Sequence, residues 1–539
     1  MRNMASVTKN CIKILDSTLR DGAQGEGISF SVQDKINIVK ALDDLGVTYI
    51  EAGNPGSNPK DLEFFQQVKK VKLNSAKVVA FGATRRKGIT CQEDMQLQSL
   101  LSAETDTVVI FGKSWDFQVT EILRATLEEN IDMISQTVAF LKQAGRSVIY
   151  DAEHFFDAWK SNKDYAIKTL EAAVSSGAEV LALCDTKGGS LPLEVMEITK
   201  EVSSLFKDRA EIGIHSHNDM GLAVATSIMA VEGGATHVQG TLVGFGERTG
   251  NANLSAIIAN LELKMNTCCL PEGKLASLTT AARQVAEIAN VNLDPGMPYV
   301  GGNAFAHKAG MHIDAVNKNP TAYEHVPPET VGNDRVFLMS EVAGRSTIIK
   351  KINRFDSSVT KDSPVVNEII KQMKELEHAG YQFEGAEGSF ELLVRKNLGK
   401  YKPFFKLHYY KTIGEKPPLD ETLCSFAQIK IEVDGQIEIA AGEGDGPVHA
   451  IDTALRKALE RFYPAVSQIR LTDYKVRVLD SKSTTASKVR VLIESSDGRA
   501  SWTTVGVSAD ILEASWLALV DSFEYKLIRD IERQFKAYL

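Results

Sequence analysis

Ile12-Lys13-Ile14-Leu15-Asp16-Ser17-Thr18-Leu19-Arg20-Asp21-Gly22 is the stretch from which the fold is read. Its apolar start reads as a strand, and its end places a fixed cation beside a carboxylate at a tight turn. Arg20 can hold a carboxylate through two parallel N–H bonds, and Asp21 can ligate a metal through oxygen. Alone, such a pair is more often a surface ion pair. It gains meaning from a second motif, His215-Ser216-His217-Asn218-Asp219, at the end of another apolar run.

Working outward, apolar runs alternate with amphipathic ones. Strands are expected over Ile12–Asp16, Tyr49–Gly53, Val78–Gly82, Thr107–Gly112, Val148–Glu153, Val180–Asp185, Glu211–His217 and His237–Gly244. Helical patterns such as Val32–Leu45, Ile131–Ala144, Tyr165–Ser176 and Leu222–Glu232 lie between them. Eight strands alternating with helices predict an α/β fold, a closed (β/α)8 TIM barrel over residues 10–272. The rival is an open doubly wound sheet. The count of eight, and the lack of a Gly-x-Gly-x-x-Gly loop after the first strand, favour the barrel. Active sites of such barrels lie at the C-terminal strand ends. Those ends carry Arg20-Asp21, Asn54, Lys113, Glu153, Thr186, His215, His217 and Asn251.

From residue 273 the rhythm changes. Leu275–Ile288 reads as helix, a Pro/Gly-rich stretch follows, and helical patterns return at Ser346–Asn353 and Val365–His378. Residues 273–395 are expected to form helical linker subdomains. Over 396–539 the order strand-strand-strand-helix occurs twice, with helices at Val448–Arg461 and Ala509–Phe523. This predicts an α+β domain built of two βββα units.

The 539 residues exceed one compact core, and 43% hydrophobic with 24% charged residues is ordinary for a soluble enzyme. A net charge of −9 argues against nucleic acid as a general partner. No apolar run approaches the roughly 20 residues that span a bilayer, so no membrane partner is expected. Met1–Asn10 is polar and unlike a signal peptide, and the six cysteines show no Cys-x-x-Cys spacing. A reduced, cytoplasmic setting is expected.

His215-x-His217 on a strand puts both imidazoles on one face. Two His and a carboxylate, with positions left open, make a divalent-metal site built for substrate. The bland reading is two hydrogen-bonded histidines at a strand end; Asp21 on a nearby strand of a closed barrel favours metal. Gly244-Phe245-Gly246-Glu247-Arg248-Thr249-Gly250-Asn251 can bring backbone close to a ligand, and Asn251 can add an oxygen ligand. Glu153 is a candidate base for a carbon-bound proton, against a plain solvated acid. Thr186 offers a hydroxyl to a substrate carboxylate. Trp115 is a bulky residue that either narrows the acceptor pocket or packs under a loop. His307, His312 and Tyr323 lie outside the barrel.

Asp16–Gln24, His215–Asp219 and Gly246–Asn251, with Asn303-Ala304-Phe305-Ala306-His307 and Gly444-Asp445-Gly446-Pro447-Val448, resemble the 2-isopropylmalate/homocitrate/citramalate synthase family. The resemblance covers nearly the whole chain. Gly25–Ser31, Pro55–Asp61 and Lys113–Asp116 resemble its long branch that accepts pyruvate, and Ala23 departs from the Glu common in the isopropylmalate branch. The resemblance implies a divalent metal (Mn2+ or Mg2+, with Zn2+ an alternative) on Asp21, His215 and His217, with Asn251 close by. It implies acetyl-CoA as donor, a 2-oxo acid as acceptor, and proton transfers by Glu153, His312 and Tyr323. For the 396–539 region it implies a regulatory domain that supports a homodimer, with isoleucine as effector. The turn Gly442–Gly446 is the expected effector site through Gly444 and Gly446, and Gly446→Val is expected to disturb it.

Overall fold

The computed structural model describes residues 11–56, 58–308, 310–337, 349, 352–353, 359–360, 363–415, 424–479, 487–498 and 500–538. Eight parallel strands pair in chain order: β1 (Lys13–Asp16), β2 (Tyr49–Glu51), β3 (Lys77–Ala83), β4 (Thr107–Lys113), β5 (Ser147–Glu153), β6 (Val180–Asp185), β7 (Glu211–Ser216) and β8 (His237–Gly240). β8 pairs back to β1 from Lys13↔His237 to Asp16↔Gly240, which closes the barrel. The strand expected to run to Gly244 stops at Gly240, because Gly244 N–H turns back onto Thr241 O with Gly244 at φ 81°.

Period-two alternation sorts each strand. On β5, Val148, Tyr150 and Ala152 face outward and join the large core beneath the helices. Ile149 points inward, where it packs with Leu15, Val79, Val109 and Val180. Two and four residues further along that inner face come Asp151 and Glu153. The barrel interior therefore holds an apolar layer beneath a polar mouth. Burial of each floor side chain stabilises by about 1.5–3 kcal/mol, so stability and chemistry occupy different layers.

The helices follow their sequence signals. Val32–Leu45 begins with a capping box between Ser31 and Asp34 and ends on Gly46 at φ 95°. The helix expected to start at Tyr165 is the second part of Phe155–Ser175, which breaks at Asn162 (φ −150°, ψ 80°). Asn162 Oδ1 accepts from Tyr165 N–H at 3.2 Å and so caps that second part.

The chain forms two compact units, one of residues 1–306 and 324–336, the other of 307–323 and 337–539. In the second unit, strands Lys406–Glu415, Cys424–Val433 and Gln436–Gly444 make an antiparallel sheet followed by helix Pro447–Glu460. Strands Arg470–Val478, Val489–Ser496 and Ser501–Ser508, followed by helix Ile511–Tyr538, repeat it. Ile429, Ile431, Leu455, Val491, Ile493 and Phe523 are among the residues of their shared core. The helix expected over Ser346–Asn353 lies mostly outside the described residues.

Cys11 and Cys268 are joined as a disulfide, a pairing the sequence reading did not anticipate. They pair as an isolated parallel bridge with Cα atoms 4.7 Å apart, a closeness that only barrel closure creates. Cys91, Cys184 and Cys269 are free and buried. Among the described residues no helix is long and apolar enough to cross a membrane.

Candidate active site

After β1 the chain turns tightly, with Arg20 and Gly22 N–H both bonded to Ser17 O. Arg20 Nε lies 2.7 Å from Glu51 Oε2, its Nη1 lies 3.1 Å from Asp21 Oδ2, and its guanidinium carbon sits 3.8 Å from the centre of the Phe81 ring. Glu51, fully buried on β2, also bonds Ser17 Oγ. The guanidinium is thus fixed in plane by a carboxylate on one edge and a ring on one face. Burial pushes the Asp21 carboxyl up, but Arg20 and His215 outweigh it and hold the group far below the usual carboxylate range. Asp21 is an anion at any working pH.

β7 carries His215, and His217 follows one residue beyond its end with the same parity. His215 Nε2 lies 3.3 Å from Asp21 Oδ2 and 3.4 Å from His217 Nε2; His217 Nε2 lies 4.0 Å from the same oxygen. All three are buried, and their ligand atoms lie within 4.8 Å of one another. His215 Nδ1 bonds Gln239 Oε1 at 2.9 Å. Burial, with His215 beside it, lowers the His217 pKa to about 4, leaving its imidazole neutral.

His217 and Asn251 form an antiparallel bridge, and Asn251 Oδ1 is buried without a hydrogen-bond partner. A buried, unsatisfied acceptor beside two imidazoles and a carboxylate fits a divalent cation. The glycines here are structural. A Cβ on Gly250 (φ 92°) would lie 2.1 Å from Gly244 O, and one on Gly246 2.2 Å from Asn251 Nδ2.

Glu153 ends β5 in contact with Lys113 at the end of β4, its register partner. His154 follows at φ 58°, a left-handed conformation rare for a side-chain-bearing residue, and its N–H bonds Thr186 Oγ1 at 2.9 Å. The Thr186 hydroxyl hydrogen is therefore left to donate elsewhere. Trp115 packs near His154 and Phe117, with ring centres 5.6 and 4.9 Å away, and Lys187 Nζ lies 4.2 Å from its ring centre.

The loops after β7 and β8 are tied by Arg248, which bonds both Asp219 carboxylate oxygens at 2.8 and 2.9 Å and also Thr186 O. Sequence reasoning did not single out that pair, nor Glu51, Asp151 or Gln239. The strand parity that put His215 and His217 on one face would have flagged the last three. A cleft of about 280 Å3 opens beside Arg20, lined by Phe81, Asn54, Lys60 and Asp61 among others.

His312 and Tyr323 belong to the second unit, where their rings lie 4.2 Å apart. Gly444 and Gly446 lie there too, at the start of helix Pro447–Glu460. The expectation for Gly446→Val is corrected. Gly446 is in extended backbone (φ −158°, ψ 168°), and a Cβ there meets open space. Gly444 is the crowded position, with a Cβ 2.6 Å from Ala450 N.

A barrel with this mouth defines an enzyme class, and the family model described as HMGL-like matches residues 11–285. The homocitrate synthase post-HMGL domain-like model matches 299–380, and the LeuA allosteric (dimerisation) domain matches 384–527. Relatives span nearly the whole chain. The (R)-citramalate synthase of Aquifex aeolicus is 51% identical over 97% of this chain and 98% of its own length. That of Geobacter sulfurreducens is 50% identical over the same shares. A probable 2-isopropylmalate synthase of Methanopyrus kandleri is more distant, 31% identical over 94% of this chain and 97% of its own. The chain belongs to the (R)-citramalate synthase family.

Proposed function

We propose that this protein condenses acetyl-CoA with pyruvate and hydrolyses the thioester, giving (R)-citramalate and CoA. The product would feed a route from pyruvate through 2-oxobutyrate to isoleucine. The observation that carries the reading is the buried Asp21–His215–His217 cluster with Arg20 in contact, in a chain half identical to citramalate synthases.

Asp21, His215 and His217, with Asn251 beside them, are assigned the divalent metal. Such an ion supplies Lewis-acid polarisation of the acceptor's keto group. Arg20, already oriented by Glu51 and Phe81, places positive charge where the keto oxygen gains electrons. The free Thr186 O–H donates to the pyruvate carboxylate. Glu153, in contact with Lys113, takes a methyl proton from acetyl-CoA. The carbanion's electron pair makes the new C–C bond. Water then cleaves the thioester and CoA leaves as the thiol. The resemblance assigns His312 and Tyr323 to the remaining proton transfers. Trp115 is assigned to limit acceptor size.

The second unit is assigned regulation and dimer formation in a cytoplasmic enzyme. Ile413, Ile437, Ile439 and Val478 are each more than half exposed on its strands, an apolar surface that a second copy would cover. Isoleucine is the proposed effector, at the turn around Gly444. Thiol release measured with pyruvate against 2-oxoisovalerate tests the reading: pyruvate should be strongly preferred, and preference for 2-oxoisovalerate would make the protein an isopropylmalate synthase instead.

A further inference from the structure

Beneath the metal-facing atoms lies a buried chain of polar side chains that the proposed reaction does not use. Gln239, on β8 and fully buried, offers Oε1 to His215 Nδ1 at 2.9 Å and Nε2 to Asp151 Oδ1 at 2.9 Å. Asp151 is itself 4% exposed, on the inner face of β5, two residues before Glu153. Gln239 Nε2 also lies 3.5 Å from His237 Nε2.

The polarity of this chain is set by its far end. Asp151 Oδ1 accepts from Gln239 Nε2, which turns the amide nitrogen toward the carboxyl. That leaves Oε1 facing His215. A carbonyl oxygen only accepts, so His215 must carry its proton on Nδ1. In the neutral ring the lone pair then lies on Nε2, which faces the space shared with Asp21 and His217.

We propose that Gln239 and Asp151 are positioning residues that fix the tautomer and ring orientation of His215, so that Nε2 is presented as a metal ligand. The inference rests on the metal assignment above and deepens it. A buried amide with no acceptor at its far end could rotate by half a turn, present N–H to His215 and hold the proton on the wrong nitrogen. Asp151 prevents this through the accepting oxygen, not through its charge.

The test is Mn2+ binding by titration calorimetry on chelator-stripped full-length protein, with thermal melts of the same apo samples as a fold control. Unmodified protein must bind Mn2+; if it does not, the metal assignment fails and not the relay. Gln239→Leu and Asp151→Leu should each weaken binding about 10- to 100-fold, the usual effect of losing a partner behind a metal-bound histidine. Asp151→Asn keeps an accepting oxygen and should bind nearly as the parent does. That rescue separates orientation from mere packing or charge. If Gln239→Leu does not fold, the Asp151→Leu and Asp151→Asn pair reads the relay from its other end. Parental Mn2+ affinity in folded Gln239→Leu or Asp151→Leu overturns the proposal, as does Asp151→Asn binding as poorly as Asp151→Leu.

Discussion

The barrel mouth and the duplicated C-terminal sheets are both ordered, and both recur in relatives, yet they differ in what their residues do. At the mouth, buried polar and charged groups meet specific partners: Arg20 meets Glu51 and Asp21, and His215 meets Gln239 and Asp21. Each pair fixes an orientation. In the C-terminal sheets the core is mostly apolar, aliphatic at Ile429, Ile431, Val491 and Ile493 and aromatic at Trp502, and apolar side chains such as Ile437 and Ile439 stand exposed. The contrast separates chemistry, which needs particular atoms at particular places, from association, which needs area and shape.

The largest effect should come from breaking chemistry alone. Glu153→Gln should lower kcat by about 10²- to 10⁴-fold, the span of a lost general base. The KM for pyruvate should hold, and dimer mass by light scattering should not change. Full turnover in that variant would leave the mouth without its base.

A second effect belongs to the layer below. Burial, with Glu51 adding repulsion, raises the Asp16 pKa from 3.8 to about 7. A carboxyl whose folded pKa is raised binds its proton more tightly in the folded chain. Its contribution to stability is full below about pH 4 and is lost as pH rises to about 7. Asp16→Asn should remove this loss, worth on the order of 2–4 kcal/mol at pH 7.5. Melting curves should converge for parent and variant near pH 4 and separate above pH 7 in the variant's favour. A variant less stable at pH 7.5 would contradict the shift.

On the other side of the comparison, Gly444→Val forces backbone and His449 to move and should weaken isoleucine inhibition about tenfold, roughly 1.4 kcal/mol of coupling. Gly446→Val, with open space around its Cβ, should be inhibited like the parent. Equal inhibition in both variants would place the effector away from this turn.

The smallest expected effect is a change of preference. Trp115→Ala should raise the 2-oxobutyrate to pyruvate activity ratio by about 10-fold, the scale of one methylene in a pocket. An unchanged ratio with intact folding would make Trp115 a packing residue only.

What was legible in the sequence follows the same division. Strand parity and the barrel rule were enough to gather Arg20, Asp21, Glu153, Thr186, His215 and His217 at one mouth, because each stands at a strand end beside a recognisable run. Gln239 and Asp151 were not singled out, although each lies on an inner face. They are 88 positions apart, and only closure of the barrel brings them together behind His215. Arg248 and Asp219 escaped for the same reason. The Cys11–Cys268 bond also depends on closure, and single-sequence spacing carries no trace of it. Gly446 was misjudged because a glycine in a turn suggests a constrained backbone, whereas here its φ is ordinary. The βββα repeat was visible as pattern, but nothing in that pattern marks which turn binds a ligand.

The central claim is that Asp21, His215 and His217 hold the ion on which pyruvate condensation depends. Its most direct test is metal content and thiol release measured together on chelated, Mn2+-restored and Asp21→Ala protein. The account predicts that chelation abolishes CoA release and Mn2+ restores it. Asp21→Ala should fold, bind little metal and stay inactive. Full metal occupancy with normal turnover in Asp21→Ala would contradict it.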